Sequence, residues 1–336
     1  MPPSDYAAEI TSATLFTYQL PFKTAMQFKA QRLLQRKGLI LQLNDGQGRT
    51  YFTEIAPLPG FSTETLEQVT QDIIQQISTS LASLSDYKSP YPSVQFALSG
   101  LFNNPISINH QQSIEMDNIA LLQGDTEQVL AQFEALHRPA VIKLKVARES
   151  ITTDIANFQL LCQLSPDLKI RCDANQAWNK KQASDFFDAI NTPQLDYIEE
   201  PTSNHAINIQ LAEENKIFLG LDETLQAPDF YYEHHEAIRA FVIKPTIIGN
   251  RNKIDQLVSV AHQQGILLSI SSSFESALGL QQLRKMANHY LAQPEYQGVQ
   301  ISLGIDTLKY FDSPLLYNAK NIERDCRALA ILWTNQ

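Results

Sequence analysis

The sequence predicts an α/β protein: a TIM-type (β/α) barrel preceded by a separate α+β unit. Three observations carry that prediction. Six short apolar segments in the middle of the chain each close on a polar or charged residue, namely Lys145, Asp173, Glu199, Asp222, Lys244 and Ser271. Those ends fall 28, 26, 23, 22 and 27 residues apart, room each time for one strand, one helix and two short loops. The stretches between them carry apolar residues at helical spacing and are set off by short polar breaks. A chain that alternates strand and helix at this interval winds into a barrel, and residues at the C-terminal strand ends then converge on one site.

The elements follow in order. Residues 8–60 read as an antiparallel meander: Ile10 to Leu20 is rich in Thr, Leu, Phe and Tyr, and Gly38 to Leu43 runs into the turn signal Asn44-Asp45-Gly46 before Tyr51 to Ile55. Ser62-Thr63-Glu64-Thr65 offers capping residues ahead of Leu66, Val69, Ile73 and Ile77, so a helix is expected there. A second is expected over Ser93 to Phe102, after Pro90 and Pro92. From about Asn118 strand and helix alternate, with helices over 126–137, 149–164, 180–190, 207–215, 253–264 and 275–289. The last 30 residues lack a further βα unit. The expected division is residues 1–112 as an N-terminal α+β capping domain, 113–305 as the barrel, and 306–336 as a segment packing back on the first domain.

Composition excludes several classes. A chain of 336 residues with 43% hydrophobic content can bury a barrel core and a smaller domain besides. A net charge of −10 argues against a nucleic-acid surface, which needs clustered Lys and Arg. The first basic residue is Lys23, so a positively charged leader is not expected, and no apolar run reaches the ~18 residues of a membrane span. Cys162, Cys172 and Cys326 are too few and too scattered for a disulfide framework or a zinc cluster. The expectation is a cytoplasmic protein without nucleic-acid or membrane partners; either a monomer or a homo-oligomer fits.

The chemistry lies at the strand ends. Lys143 and Lys145 are two apart on a strand and share a face, which in a barrel is the interior. Taken alone, Lys-x-Lys also fits a solvated strand face. Asp173, Glu199 and Asp222 are hard oxygen donors of the kind Mg²⁺ takes in near-octahedral coordination, and without a cation three converging carboxylates would repel. Any one of them alone also reads as a helix N-cap; three in succession read as a metal site. Glu200 and Glu223 follow two of these residues directly, point the other way, and read as partners that orient them. Lys244 enters from the side opposite Lys145. An amine beside a cation and a second lysine has a lowered pKa and can remove a proton alpha to a carboxylate. Arg171 shares the inward face of Asp173, where it can meet a substrate oxygen or form an ion pair within the barrel. Asn175 begins the next loop. Ser271-Ser272-Ser273, ahead of a helix, is either a carboxylate seat or a plain cap.

With those residues placed, the chain resembles the enolase superfamily and, within it, the o-succinylbenzoate synthases. The matching stretches run from Glu54-Ile55-Ala56-Pro57-Leu58-Pro59-Gly60-Phe61-Ser62 through Lys143-Leu144-Lys145, Asp173-Ala174-Asn175 and Ile198-Glu199-Glu200-Pro201. They continue through Asp222-Glu223-Thr224, Lys244-Pro245-Thr246 and Ser271-Ser272-Ser273 with Glu275-Ser276 to Gly304-Ile305-Asp306-Thr307-Leu308. The resemblance implies a modified (β/α)₇β barrel under an α+β capping domain, and Mg²⁺ on Asp173, Glu199 and Asp222, with Mn²⁺ as the alternative ion. It implies Lys145 as base and then acid, and Lys244 as the cation that stabilises an enediolate; a lysine base and Mg²⁺-stabilised enediolate are general to that superfamily. The implied reaction is dehydration of 2-succinyl-6-hydroxy-2,4-cyclohexadiene-1-carboxylate to 2-succinylbenzoate, on the way to menaquinone or phylloquinone. The succinyl end of this substrate would meet Ser271 and the backbone near Gly304. Thr53 stands where the family usually has Gly, and the segment near positions 21–30 gives no assignable contacts.

Two other readings stay open at this point. Lysines on opposite faces also suit an N-succinylamino acid racemase or a dipeptide epimerase. A dipeptide epimerase should carry an acidic pair at the eighth strand, whereas Asp306 is preceded two positions earlier by Gly304. A non-catalytic metal- or carboxylate-binding scaffold would have lost a lysine or a ligand, and none is missing.

Overall fold

The computed structural model describes residues 9–28, 31–103, 119–190, 192–227 and 229–335. Two sheets organise them. The first is antiparallel, with β1 (Ile10–Phe28), β2 (Gln31–Asp45), β3 (Thr50–Ile55) and, from the far end of the chain, β12 (Ala330–Thr334) in the order β12-β1-β2-β3. The second contains β4 (Ala120–Leu122), β5 (Val141–Lys145), β6 (Lys169–Asp173), β7 (Leu195–Glu199), β8 (Leu219–Leu221), β9 (Ile238–Ile243), β10 (Leu267–Ser271) and β11 (Ile301–Gly304). Each of these eight pairs in parallel with the next, so spatial order follows chain order, as barrel winding requires.

The crossovers are α3 (Thr126–Glu134), α4 (Ile151–Leu164), α5 (Lys180–Ala189), α6 (His205–Asn215), the short α7 (Glu223–Gln226) and α8 (Pro245–Ile248), α9 (Arg251–Gln264) and α10 (Ala277–Leu291). Local chemistry starts them. Asp125, Ser150, Asn179, Asn204, Asn250 and Ser276 each accept a backbone N–H of the first turn of the helix that follows. In the first unit, α1 (Leu66–Thr79) starts on a reciprocal capping box between Thr65 and Gln68, and α2 (Pro92–Asn103) follows Pro90 and begins on Pro92. A short α11 (Ile322–Cys326) precedes β12.

Three apolar clusters hold the described residues together. The strands and crossover helices of the barrel share one, centred on residues such as Ile142, Phe158, Ile170, Phe186 and Ile270. A second lies between the antiparallel sheet and α1 and α2, including Leu39, Leu41, Val69 and Ile73. The third joins the outer part of β1 to the start of α10 and to the chain after β11, through Phe22, Phe28, Leu278, Phe311 and Ile322. Phe22 stacks on Phe311, with ring centroids 5.0 Å apart.

Some elements exceed their sequence-based expectation. β1 continues past Leu20 to Phe28, with a break in its ladder between Pro21 and Met26, where proline withholds a donor. The turn after β2 is built on Asp45, whose Oδ1 accepts the amides of Gln47 and Arg49 and whose Oδ2 accepts Tyr51 Oη. Those bonds, together with Arg49, hold its carboxyl at about 2 despite burial.

One carboxylate ties the cap to the barrel several times over. Glu54, on β3, accepts the amides of Ser276 and Gly279 at 3.0 and 2.8 Å, Ser276 Oγ at 2.6 Å, and Tyr18 Oη. It thus caps the N-terminus of α10, more than two hundred residues away in sequence. Thr53 donates its hydroxyl to the Ala97 carbonyl at 2.9 Å, which ties β3 to α2. Arg36 is 1% exposed and spends its guanidinium on the carbonyls of Lys37, Ala56, Pro57 and Phe274.

Candidate active site

Parallel register brings the strand ends to one level: Lys145 is opposite Asp173, and Asp173 is opposite Glu199. Gly220, beside Glu199 on β8, leaves the space this side chain uses; a Cβ there would lie 2.9 Å from Glu199 Cγ. Asp222 and Lys244 follow the last residues of β8 and β9.

These side chains form one ion-pair cluster. Lys143 Nζ lies 2.7 Å from Asp173 Oδ2 and 2.6 Å from Glu199 Oε2. Lys145 Nζ meets the same Asp173 oxygen at 2.9 Å, and Lys244 Nζ meets Asp222 Oδ2 at 2.5 Å. Lys244 also lies 5.5 Å from the ring centre of Phe61, which the cap supplies. Asp173, Glu199 and Asp222 are 3%, 1% and 1% exposed. Among the described residues, no three His, Cys, Asp or Glu side chains stand in a metal-ligating arrangement; the Lys143 amine lies between Asp173 and Glu199 instead.

Burial and charge compete throughout this cluster. Burial works against the charge of Asp173, but Lys143, Lys145 and Lys244 outweigh it and hold that carboxyl far below the usual range. Burial lifts Glu199 to about 8, with Asp173 and Asp222 adding to the rise and Lys143 opposing it. For Lys143, burial is overcome by Asp173, Glu199 and Asp222, and its pKa is raised. Lys244 is raised as well, its burial outweighed by Asp222, Glu223 and Asp173. Lys145 moves the other way: burial lowers it, the charges of Lys143 and Arg148 lower it further, and Asp173 alone does not compensate. Of the three lysines, it is the one whose pKa is lowered.

A cavity of about 440 Å³ opens over this cluster. Lys143, Lys145, Arg171, Asp173, Asn175, Glu199, Lys244, Ser271 and Gly304 reach its wall; Asp222, Glu200 and Glu223 are behind it. Glu200 accepts the amides of Asp222 and Thr224 at 3.0 and 2.8 Å and so fixes the start of α7. Glu223 Oε1 accepts Asn175 Nδ2 at 3.0 Å, while its buried Oε2 has no hydrogen-bond partner among the described residues. Burial and the neighbouring Asp222 push Glu223 up to about 7. Arg171 is held by Asp196 at 2.9 Å and lies 5.1 Å from the Tyr197 ring centre, so the ion pair within the barrel is present and the guanidinium still borders the cavity. Ser271 Oγ bonds Ser269 Oγ at 3.0 Å, and a Cβ on Gly304 would lie 2.5 Å from Ser271 Oγ.

Sequence reasoning did not assign the cap's share of this wall, Thr24 to Phe28 with Leu58 and Phe61, nor Arg148. Arg148 follows Lys145 by three residues and was visible only as a basic residue near a strand end. Nothing in residues 24–28 marks them; they face the cavity because β1 runs on toward the barrel.

A strand-ordered parallel barrel under an antiparallel cap, with lysines and carboxylates on facing strand ends, defines an enzyme of the enolase superfamily. The family model described as Enolase C-terminal domain-like matches residues 128–313, and the one described as MenC, N-terminal domain, matches residues 10–102. The o-succinylbenzoate synthase of Yersinia enterocolitica serotype O:8 is 34% identical over 285 residues, covering 82% of this chain and 86% of the relative; that of Edwardsiella ictaluri is 34% identical over 278 residues, covering 82% and 85%. The chain belongs to the o-succinylbenzoate synthase family. Among solved structures, the o-succinylbenzoate synthase of Thermosynechococcus elongatus BP-1, with Mg in its active site, superposes with a TM-score of 0.72 at 22% identity over 95% of this chain and all of that one. The L-Ala-D/L-Glu epimerase of Bacillus subtilis superposes at 0.70 and 15% identity, over 91% of this chain and 92% of that one, a likeness of fold.

Proposed function

We propose that this chain catalyses the dehydration of 2-succinyl-6-hydroxy-2,4-cyclohexadiene-1-carboxylate to 2-succinylbenzoate, a step toward menaquinone or phylloquinone, in the cytoplasm. The observation that carries the reading is the cluster itself: Lys145 and Lys244 on facing strand ends, each paired to a different member of the carboxylate trio. Among the described residues no helix is long and apolar enough to cross a membrane.

The donor set fits a Mg²⁺ ion, or Mn²⁺ in its place. Asp173, Glu199 and Asp222 are hard oxygen donors, all buried, and the neighbouring Glu223 keeps one buried oxygen without a partner. When bound, the cation would neutralise the substrate carboxylate and the charge that develops on it. Lys143, which now lies between Asp173 and Glu199, would yield that place and remain as a neighbouring positive charge. Glu200 and Glu223 orient the ligands through the Asp222 amide and Asn175.

The remaining steps belong to the chain's own groups. Lys145, with its lowered pKa, takes the proton alpha to the substrate carboxylate and returns one to the departing hydroxyl. Lys244, held protonated by its acidic neighbours, faces the negative charge left on the carboxylate oxygens. Ser271 and the backbone at Gly304 receive the succinyl end, and Arg171 with Asn175 borders the ring-binding part of the wall. Phe28, Phe61 and Leu58 from the cap exclude water.

The test is a spectrophotometric assay with the cyclohexadiene carboxylate, with and without Mg²⁺. Turnover that needs the ion and disappears in Lys145→Ala is the expected result. No turnover by the wild type, or full activity in Lys145→Ala, refutes the assignment. Racemisation of N-succinylamino acids exceeding the dehydration rate would favour the racemase reading instead.

A further inference from the structure

One buried carboxylate outside the cluster pairs with no cation among the described residues. Asp154, in the first turn of α4, is 1% exposed, and the charged group that acts on it is Glu149, also negative. A carboxylate buried without a cation is costly unless hydrogen bonds compensate it. Its Oδ2 accepts the Ala147 amide at 2.8 Å. Ala147 has φ 60°, a left-handed conformation that an alanine adopts only when held there.

This kink lies in a sensitive place. Lys145 is two residues before it. Val146, between them, donates its amide to the Asp173 carbonyl at 3.0 Å. Arg148, immediately after, borders the cavity and donates Nη1 to the Gln27 carbonyl of the cap at 3.4 Å. Three residues along the same helix, Asn157 (1% exposed) donates Nδ2 to the Gly124 carbonyl at 3.0 Å, and Gln123 next to it borders the cavity too. One face of α4 therefore supports two loops of the cavity mouth through buried polar side chains.

We propose that Asp154 is a positioning residue whose carboxylate fixes the left-handed turn at Ala147 and thereby sets Lys145 and Arg148 on the cavity wall. The consequence for turnover rests on the lyase reading above; the geometry it asserts does not. The experiment compares wild type, Asp154→Ala, Asp154→Asn and the double variant Asp154→Ala/Ala147→Gly, each confirmed as folded by circular dichroism. Steady-state kinetics are measured at saturating Mg²⁺, and amide hydrogen exchange of the 145–149 segment is followed in the free proteins.

Asp154→Ala is expected to lower kcat about 30-fold with little change in KM, since a displacement of about 1 Å can cost 10²-fold. Asp154→Asn, whose amide oxygen still accepts the Ala147 N–H, stays within about threefold of wild type. Ala147→Gly in the Asp154→Ala background recovers about tenfold, because glycine enters the left-handed region without support. Exchange at the Ala147 amide accelerates in Asp154→Ala and not in Asp154→Asn. A purely structural role would lower thermal stability and leave kcat per folded molecule unchanged; that result overturns the proposal, as does a kcat loss shared by Asp154→Asn and unrelieved by Ala147→Gly. If the wild type turns over no substrate, the lyase reading falls, and the exchange comparison alone decides the role of Asp154.

Discussion

Replacing Glu54 with alanine should separate the cap from the barrel energetically. Glu54 is 3% exposed and accepts two backbone amides at the start of α10, the Ser276 hydroxyl and the Tyr18 hydroxyl. Alanine would leave the Ser276 and Gly279 amides and the Ser276 and Tyr18 hydroxyls as buried donors without this acceptor. Each amide costs about 1–3 kcal/mol and each hydroxyl, free to turn, less, so the four together cost about 3–6 kcal/mol after water has entered part of the gap. An exposed N-cap substitution costs only about 1 kcal/mol, and the difference measures how deeply this cap is buried. Against a typical stability of about 5–15 kcal/mol, the loss is a large share of the whole. Urea denaturation of wild type and Glu54→Ala, followed by both fluorescence and circular dichroism, gives the change directly. A loss below about 1 kcal/mol would refute the reasoning, because it would mean that the donors find water or other partners at no cost.

Three further outcomes are expected. Lys145→Ala should lower turnover by about 10²–10⁴-fold, the range of a lost general base, with substrate affinity by calorimetry largely retained; loss of both together would point to collapse of the site instead. Gly304→Ala would put a Cβ 2.5 Å from Ser271 Oγ and should raise KM for the succinyl-bearing substrate about tenfold with a smaller effect on kcat, an unchanged KM arguing against contact at that wall. Burial raises Asp154 from 3.8 to about 6, so between those values the folded state holds more protons than the unfolded state, and this group's contribution to stability falls as pH rises through that window. Asp154→Asn removes that dependence; its urea midpoint relative to wild type should be higher at pH 7.5 than at pH 4.5, and an equal difference at both would contradict the raised value.

The barrel was legible because its strand ends are chemically marked. Six apolar segments closing on Lys, Asp, Glu or Ser at even spacing leave few other arrangements, and β5, β6, β7 and β10 stop on the marked residue itself. β4 and β11 were harder, being three and four residues long and ending on Leu122 and Gly304, which carry no such mark. Interactions across long sequence separations left no local trace. Glu54 looks like any acid at the end of a strand until Ser276 and Gly279 are seen above it. Asp154 reads as an ordinary first-turn acid of a helix, complementing the helix dipole, and only the three-dimensional arrangement brings it to Ala147. The interposed amine was also invisible in sequence: spacing indicates that Lys143 faces inward, not that its amine bridges Asp173 and Glu199.

A crystal grown with Mg²⁺ tests the central claim most directly. The account predicts one ion with the Asp173, Glu199 and Asp222 oxygens at about 2.1 Å in octahedral geometry, the Lys143 amine withdrawn from between the carboxylates, and Lys145 and Lys244 on opposite sides of the ion. An ion bound elsewhere, or a Lys143 amine still bridging Asp173 and Glu199 at saturating metal, would contradict it.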